Sequence, residues 1–435
     1  MRFGRRQSAA APASDAGTDS APLSAPAAAP RPNRAESGSP AAPPPAALDA
    51  EEIALLRASV ALVGPLAPDL TVYFYAILFQ RHPEVRQLFP ASLDVQRDRL
   101  LRGLLRVVDL VDDPENLVHF CSRLGRDHRK FGALNGHYPA VGAALLDSLA
   151  RFAGDAWTPR LADVWTRAYG VVSDVMIRAA EEDAALRPAV WKADIVHHRL
   201  RGPGIAEITL RPHSPYPFRA GQYASVETPW QPRSWRYYSL ANAPREDGTL
   251  TFHVRAVEGG LVSPHLVFRA RPGDQLTLGS AQGDMVLDPR HEGDLLCVGG
   301  GTGLAPIQAL VEQTVQDGGR RFVDVFVGAR TADELYGLDD MLRLAQRNHW
   351  LKVRGVLSDQ QVPGWRGSLP EALQEFGPFY RREVYLSGPV DMVTSSTRVL
   401  LRQGVSQQNI HYDPFDVPVL EAALLSDRLR PEAGR

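Results

Sequence analysis

At 435 residues, 44% of them hydrophobic and 23% charged, the chain has an ordinary globular composition and room for about two to four domains. A formal net charge of −2 argues against nucleic acid or an acidic membrane as partner. Two cysteines, Cys121 and Cys297, exclude a disulfide scaffold and a thiolate metal cluster and are expected as small core residues, and no apolar run suggests a membrane span.

Residues 1–47 are Ala, Pro and Ser with almost no large apolar side chains, too little to offset the entropy of ordering, so a disordered tail is expected. Met1–Arg6 resembles the charged start of a signal peptide, but no apolar stretch follows it, and a cytoplasmic location is expected. From 48 to 187 the period is helical. Val72, Tyr75, Leu78 and Phe79 share one face, as do Gln96, Leu100 and Leu104. Leu117, Phe120, Cys121, Leu124, His128 and Phe131 form a stripe, and Leu161, Val164, Trp165, Ala168, Val172 and Val175 form another. Five or more amphipathic helices without a strand predict an all-α domain of globin size. His128 lies inside its apolar stripe, where an imidazole is either hydrogen-bonded to a carbonyl or a metal ligand.

After Pro188 the period changes. Short strands are predicted at 195–196, 205–210, 223–227, 237–240, 250–257 and 275–278, broken by Gly and Pro, which suggests a small antiparallel barrel over 188–290. From 291 to 420 the pattern is α/β, followed by a short tail over 421–435. A buried strand at 294–298 runs into Gly299-Gly300-Gly301-Thr302-Gly303-Leu304-Ala305-Pro306 and then a helix. Such a turn lets a dinucleotide pyrophosphate approach a helix N-terminus. Further strands are predicted at 322–327, 353–357 and 384–386.

The helical part resembles the flavohaemoglobins. The resemblance rests on Tyr75 in Leu70–Tyr75, Phe89 before Pro90, the pair Gln96-Arg97 with Leu100 four residues on, His128 in His128-Arg129-Lys130-Phe131, and Tyr138 ten residues later. It implies that His128 is the proximal ligand of haem b iron and that Tyr75 and Gln96 donate to a distal ligand. Phe89 and Leu100 would wall the pocket, and Tyr138 would be a catalytic tyrosine on the proximal side. An imidazole ligand leaves the opposite face of the iron open for a gas, whose partial negative charge a phenol and an amide would stabilise in a dry pocket. One departure stands out. Where the family has a glutamate joined to the proximal tyrosine and histidine, an ungapped match puts Ala180, with Glu181 and Glu182 next to it. Either Glu181 substitutes through a small helix shift or the proximal site is electronically milder.

The later segments are similar to ferredoxin-reductase-type modules. Arg236-Tyr237-Tyr238-Ser239 matches their Arg-x-Tyr-Ser signature, Gly259-Gly260-Leu261-Val262-Ser263 their phosphate loop, and Gly221-Gln222-Tyr223 the strand beneath the flavin. FAD binding is thereby implied for Gln222, Tyr223, Arg236, Tyr237, Tyr238, Ser239, Gly260, Val262 and Ser263. Phe415, in Ile410–Phe415, is the aromatic that would lie over the flavin, and Asp413 stands where the family often has a glutamate. The Gly-Gly-x-Gly-x-x-Pro form implies nicotinamide binding at Gly300, Gly301, Thr302, Gly303 and Pro306, with Ser387, Gly388 and Pro389 on the nicotinamide side. Arg330 either contacts a 2′-phosphate, favouring NADPH, or lies over adenine; Asp333 and Glu334 disfavour a phosphate, and the resemblance implies NADH.

The expected order is a haem globin, an FAD barrel and an NAD(P) α/β domain, a linear electron path with FAD converting hydride to single electrons. Nitric oxide dioxygenase chemistry on O2 and NO is the implied activity, in a monomer or weak homodimer. A reductase of peroxides or other acceptors, which Ala180 favours, and a redox or gas sensor are the alternatives.

Overall fold

The computed structural model describes residues 48–290, 293–319, 321–359 and 367–413. Six helices come first: α1 (Ala50–Val63), α2 (Ala67–Arg81), α3 (Asp94–Asp109), α4 (Pro114–His128), α5 (His137–Ala153) and α6 (Pro159–Ala184). Their starts are written locally. Asp49 and Glu52 form a reciprocal capping box on α1, while Asp113 and Thr158 cap α4 and α6 with a proline just inside each helix. Leu56, Leu70, Phe74, Leu78, Leu145 and Val164 bury one core between them. Each such side chain contributes about 1.5–3 kcal/mol. At Gly125 a Cβ would strike the Met176 carbonyl, so α4 and α6 cross with their backbones in contact.

By length and composition the stretch Ala50–Arg81 could cross a membrane, contrary to the sequence expectation. It is broken by the turn Gly64–Leu66, and its Leu56, Val63, Leu70, Phe74 and Leu78 lie in the globin core.

Six strands follow: β1 (Trp191–Gly202), β2 (Ile205–Pro212), β3 (Tyr223–Thr228), β4 (Gln231–Ser239), β5 (Leu250–Arg255) and β6 (Gln275–Leu278). They form one antiparallel sheet in the order β4-β3-β6-β1-β2-β5. A bridge between Leu240 and Phe252 brings the end of β4 to β5 and curls the sheet round a core that includes Ile208, Leu210, Leu250, Phe252 and Leu276.

The last part alternates: β7 (Leu295–Gly300), α7 (Leu304–Gln316), β8 (Val323–Ala329), α8 (Leu338–Arg347), β9 (Leu351–Leu357), α9 (Leu369–Phe376), β10 (Glu383–Ser387), α10 (Val390–Arg402) and β11 (Ile410–His411). All pairings in this sheet are parallel, and the order is β11-β10-β7-β8-β9. Two apolar clusters cover its two faces. The chain leaves β7 toward β8 and later returns to β10 on β7's other side, so the carboxyl ends of β7 and β10 flank the switch point where open α/β sheets bind ligands. The multidomain architecture expected from sequence, globin plus antiparallel barrel plus α/β domain, is the one observed.

Candidate functional site

His128 closes α4. Its Nδ1–H donates to the Leu124 carbonyl at 2.7 Å, which fixes the tautomer and leaves the Nε2 lone pair free. Burial pulls the imidazole pKa below its ordinary value, against the opposing pull of the Leu124 hydrogen bond, so the ring is neutral, the form a metal needs. Tyr138, like Leu124, packs against the cluster of Leu110, Leu117, Cys121 and Met176, and its carbonyl accepts from the Tyr169 hydroxyl at 2.6 Å. Glu181 is exposed and accepts from Asn135 Nδ2 at 2.6 Å. Glu181 is thus engaged by Asn135, and position 180 is an alanine with no carboxylate to offer.

On the other side, Tyr75 of α2 is buried among Phe74, Phe79 and Phe89, and its hydroxyl donates to the Gln96 carbonyl at 3.2 Å. Burial raises its pKa well beyond the usual phenol range, so it stays a donor. The side-chain Oε1 of Gln96 is buried and has no hydrogen-bond partner. Leu100, one turn further along α3, packs against the same core. A free imidazole nitrogen is what a haem iron would take and a buried phenol is a donor a distal ligand would accept, so His128 and Tyr75 fit that group; the orphaned Gln96 Oε1 is an acceptor, and Gln96 would donate only with its amide turned over.

Tyr238 and Ser239, at the end of β4, line a cleft of about 840 Å³ that continues to Gly300–Gly303, Arg330 and Ser387–Pro389. Arg236 makes one hydrogen bond, Nη1 to the Trp235 carbonyl at 2.9 Å, and no ion pair among the described residues. Burial and then the neighbouring Arg99 charge lower its pKa, a cation lacking an anion, which suits a pyrophosphate. In the phosphate loop the Ser263 hydroxyl accepts from Val257 N at 3.1 Å, and a Cβ on Gly260 would lie 2.9 Å from the Val257 carbonyl. Val262 points into the barrel core, so it offers a ligand only its backbone. Gln222 spends its amide on the loop itself, accepting from Arg219 N at 2.9 Å and donating to the Gly283 carbonyl at 3.3 Å. Tyr223 stands edge-on to Tyr237, with ring centroids 5.3 Å apart, and burial pushes its phenol up to about 12. Phe415 lies outside the described residues.

In the α/β part, Gly301 has φ +55, and a Cβ on Gly303 would meet the carbonyl of Ser387 and, at 2.7 Å, the nitrogen of Gly388. The loop after β7 thus lies directly against the loop after β10, at the N-terminus of α7, with Thr302 in the turn and Pro306 buried in the first turn of the helix. Arg330 is bound twice by Glu334, from Nε at 3.2 Å and Nη2 at 2.7 Å, and Glu334 also accepts from Arg255 at 3.1 Å.

Sequence reasoning missed one group and gave no chemistry to a second. Asp127 and Lys130, which flank His128, reach the barrel. Asp127 Oδ1 accepts from Lys130 Nζ at 2.5 Å and from Gln282 Nε2 at 2.7 Å, and its Oδ2 accepts from the Tyr237 hydroxyl at 3.3 Å. Burial alone would raise the Asp127 pKa, but the Lys130 ammonium more than offsets it and holds the carboxyl below its usual range. The one available signal was two opposite charges three residues apart beside an otherwise apolar stripe. The second group centres on Asp413, whose Oδ1 accepts from Asp284 N at 3.3 Å. Burial pushes its pKa up to about 7, against the pull of that hydrogen bond.

The family models that match the chain are Globin over residues 72–176, an Oxidoreductase FAD-binding domain over 205–286 and an Oxidoreductase NAD-binding domain over 297–398. The chain is 30% identical over 387 residues to a Flavohemoprotein of Deinococcus radiodurans, spanning 81% of this chain and 94% of that one. The chain belongs to the flavohaemoprotein family. A Flavohemoprotein of Bordetella pertussis is also 30% identical, over 404 residues, with 85% and 98% of the two chains covered. The flavohemoglobin of Malassezia yamatoensis, solved with FAD and heme, shares the fold with a TM-score of 0.72 at 20% identity, over 84% of this chain and 99% of that one. This flavohaemoprotein is thus an NAD(P)H-dependent oxidoreductase whose cofactors are haem, FAD and a nicotinamide dinucleotide.

Proposed function

We propose that this flavohaemoprotein is a nitric oxide dioxygenase that turns NO and O2 into nitrate at the expense of NADH. When bound, haem supplies an iron open to a gas ligand, the nicotinamide supplies hydride, and FAD divides it into single electrons. His128 Nε2 holds the iron, while Tyr75 and Gln96 present a phenol and an amide to the distal ligand, and Phe89 and Leu100 keep water out. Tyr138 supports the proximal side from the cluster on which Leu124 also packs. Arg236 with the loop Gly260–Ser263 holds the FAD pyrophosphate, Tyr238 and Ser239 border the flavin, and Gly300–Gly303 with Pro306 cradle the dinucleotide beside Ser387–Pro389. Glu334, which occupies Arg330, disfavours a 2′-phosphate and supports NADH. The observation that carries the reading is a neutral imidazole whose Nε2 is free, with a buried phenol donor, Tyr75, in the same helical domain. NADH-dependent NO consumption by the purified holoprotein, with nitrate counted as product, tests it; turnover no faster than the uncatalysed reaction would sink it.

A second reading, reduction of peroxides or other acceptors, is favoured by Ala180 and by the engagement of Glu181 with Asn135, which leave the proximal imidazole without a carboxylate. Faster NADH oxidation with peroxide than with NO would select it. A cytoplasmic monomer or weak homodimer is part of the same proposal, checked by cell fractionation and by native mass against concentration.

A further inference from the structure

The turn of α4 that carries His128 is also the turn the barrel grips. Lys130 Nζ is buried with its carboxylate partner Asp127 and lies 5.0, 5.5 and 5.0 Å from the ring centroids of Phe131, Trp235 and Tyr237. Trp235 and Tyr237 belong to β4, the strand that ends in Tyr238 and Ser239 at the cleft. Gln282, from the loop after β6, and the Tyr237 hydroxyl, from β4, both reach Asp127. Gly279 completes the fit, since a Cβ there would lie 3.2 Å from Lys130 Cδ and would strike the Ser225 hydroxyl. One ion pair is thus wrapped by three aromatic rings and two hydrogen-bond donors, with the iron ligand between its two members in sequence. Side chains held this way by a desolvated charge pair keep one geometry, because either partner alone is costly to bury.

We propose that Asp127 and Lys130 are positioning residues: they latch the flavin domain onto the turn that carries His128 and so set the flavin-to-iron geometry for single-electron delivery. The inference rests on the electron route proposed above. Its balance is that one NADH gives two electrons and a proton is released, while two ferric irons become ferrous.

The test is anaerobic stopped-flow reduction of holoprotein by NADH, with flavin and haem bands followed separately. In Lys130→Met and Asp127→Asn, flavin bleaching keeps its wild-type rate, while haem reduction slows by roughly tenfold or more, because a misplacement of about 1 Å is enough for such losses. The double variant, with no unpaired buried charge, recovers part of the loss. Haem reduction at the wild-type rate in both single variants overturns the proposal. If a variant fails to retain haem, Gln282→Leu, which leaves α4 untouched, is expected to slow haem reduction severalfold at normal haem content, and an unchanged rate there overturns the latch equally. Absence of haem reduction in the wild type itself would remove the electron route. Small-angle scattering still decides the latch in that event: expansion of the variants supports it, and profiles identical to wild type overturn it.

Discussion

The Tyr75 hydroxyl already has an acceptor, the Gln96 carbonyl at 3.2 Å, so donating to a distal ligand means giving that bond up. The net gain then sits at the low end of the about 1.5–3 kcal/mol expected for a charge-assisted bond. Tyr75→Phe is expected to speed oxygen release by roughly tenfold. Carbon monoxide release, with less charge on the ligand, should change far less, and flavin reduction by NADH not at all. Gln96→Leu should cost less than Tyr75→Phe. Flash photolysis and stopped-flow mixing read these rates, and equal oxygen release in wild type and Tyr75→Phe would leave Tyr75 a core aromatic. Asp413 gives a pH signature. Its folded pKa is raised to about 7, whereas the unfolded chain ionises it in the ordinary carboxylate range. Between those values the native state holds the extra proton on Asp413, so this group's contribution to stability falls as pH rises toward about 7 and levels off above it. Asp413→Asn removes that slope, and its Tm should exceed the wild-type value above neutrality. A Tm difference between wild type and Asp413→Asn that stays constant over that window would contradict the buried acid. The residues proposed for the haem site were nameable from sequence because their types and intervals are local. The loss of the proximal carboxylate was legible too, but its resolution was not: only the structure shows that Asn135 takes Glu181.

Elements were legible where one period persisted. The helical stripes around Leu117 and Leu161 became α4 and α6, and the glycine turn after Val298 became the β7–α7 junction. Strands were shortened where the period broke. β1 runs over Trp191–Gly202, far beyond the predicted 195–196, because register shifts between Ile195 and His197 and between Leu200 and Gly202 spoil the alternation. β4 begins six residues earlier than expected, at Gln231; Pro232 and Arg233, the latter at φ 62, disguised its first half. The close approach of the two nicotinamide-side loops is also an element property. Gly303→Ala should push the β7 loop off the β10 loop and raise the KM for NADH by about tenfold or more, with haem and FAD contents unchanged, since a well-packed contact resists even one added methyl. Steady-state kinetics with cofactor counting checks it, and an unaltered KM would mean that the loops yield freely.

Across the whole molecule, the three parts were readable from their order and motifs, but the contact between globin and barrel was not, because Asp127 and Gln282 lie 155 residues apart and no local period joins them. The same separateness makes a prediction. Arg236→Ala should weaken FAD binding by about 10- to 150-fold, the worth of a charge-assisted contact of about 1.5–3 kcal/mol, while haem loading stays at the wild-type level. Absorbance ratios after dialysis measure both, and parallel loss of haem and FAD would show that the globin depends on flavin occupancy for its own fold.

The glycine at 279 carries a consequence for protein engineering. Its missing side chain is the socket for the Lys130 stem, and almost any other residue there would fill it. On the proposed latch, a reductase half transplanted from another flavoprotein is therefore expected to oxidise NADH beside this globin yet reduce its iron slowly, unless the graft also brought a glycine, a tyrosine and a glutamine to positions 279, 237 and 282. On the latch proposed above the two halves are matched at their rim, where Trp235 and the Arg123–Asp284 ion pair also meet across the boundary.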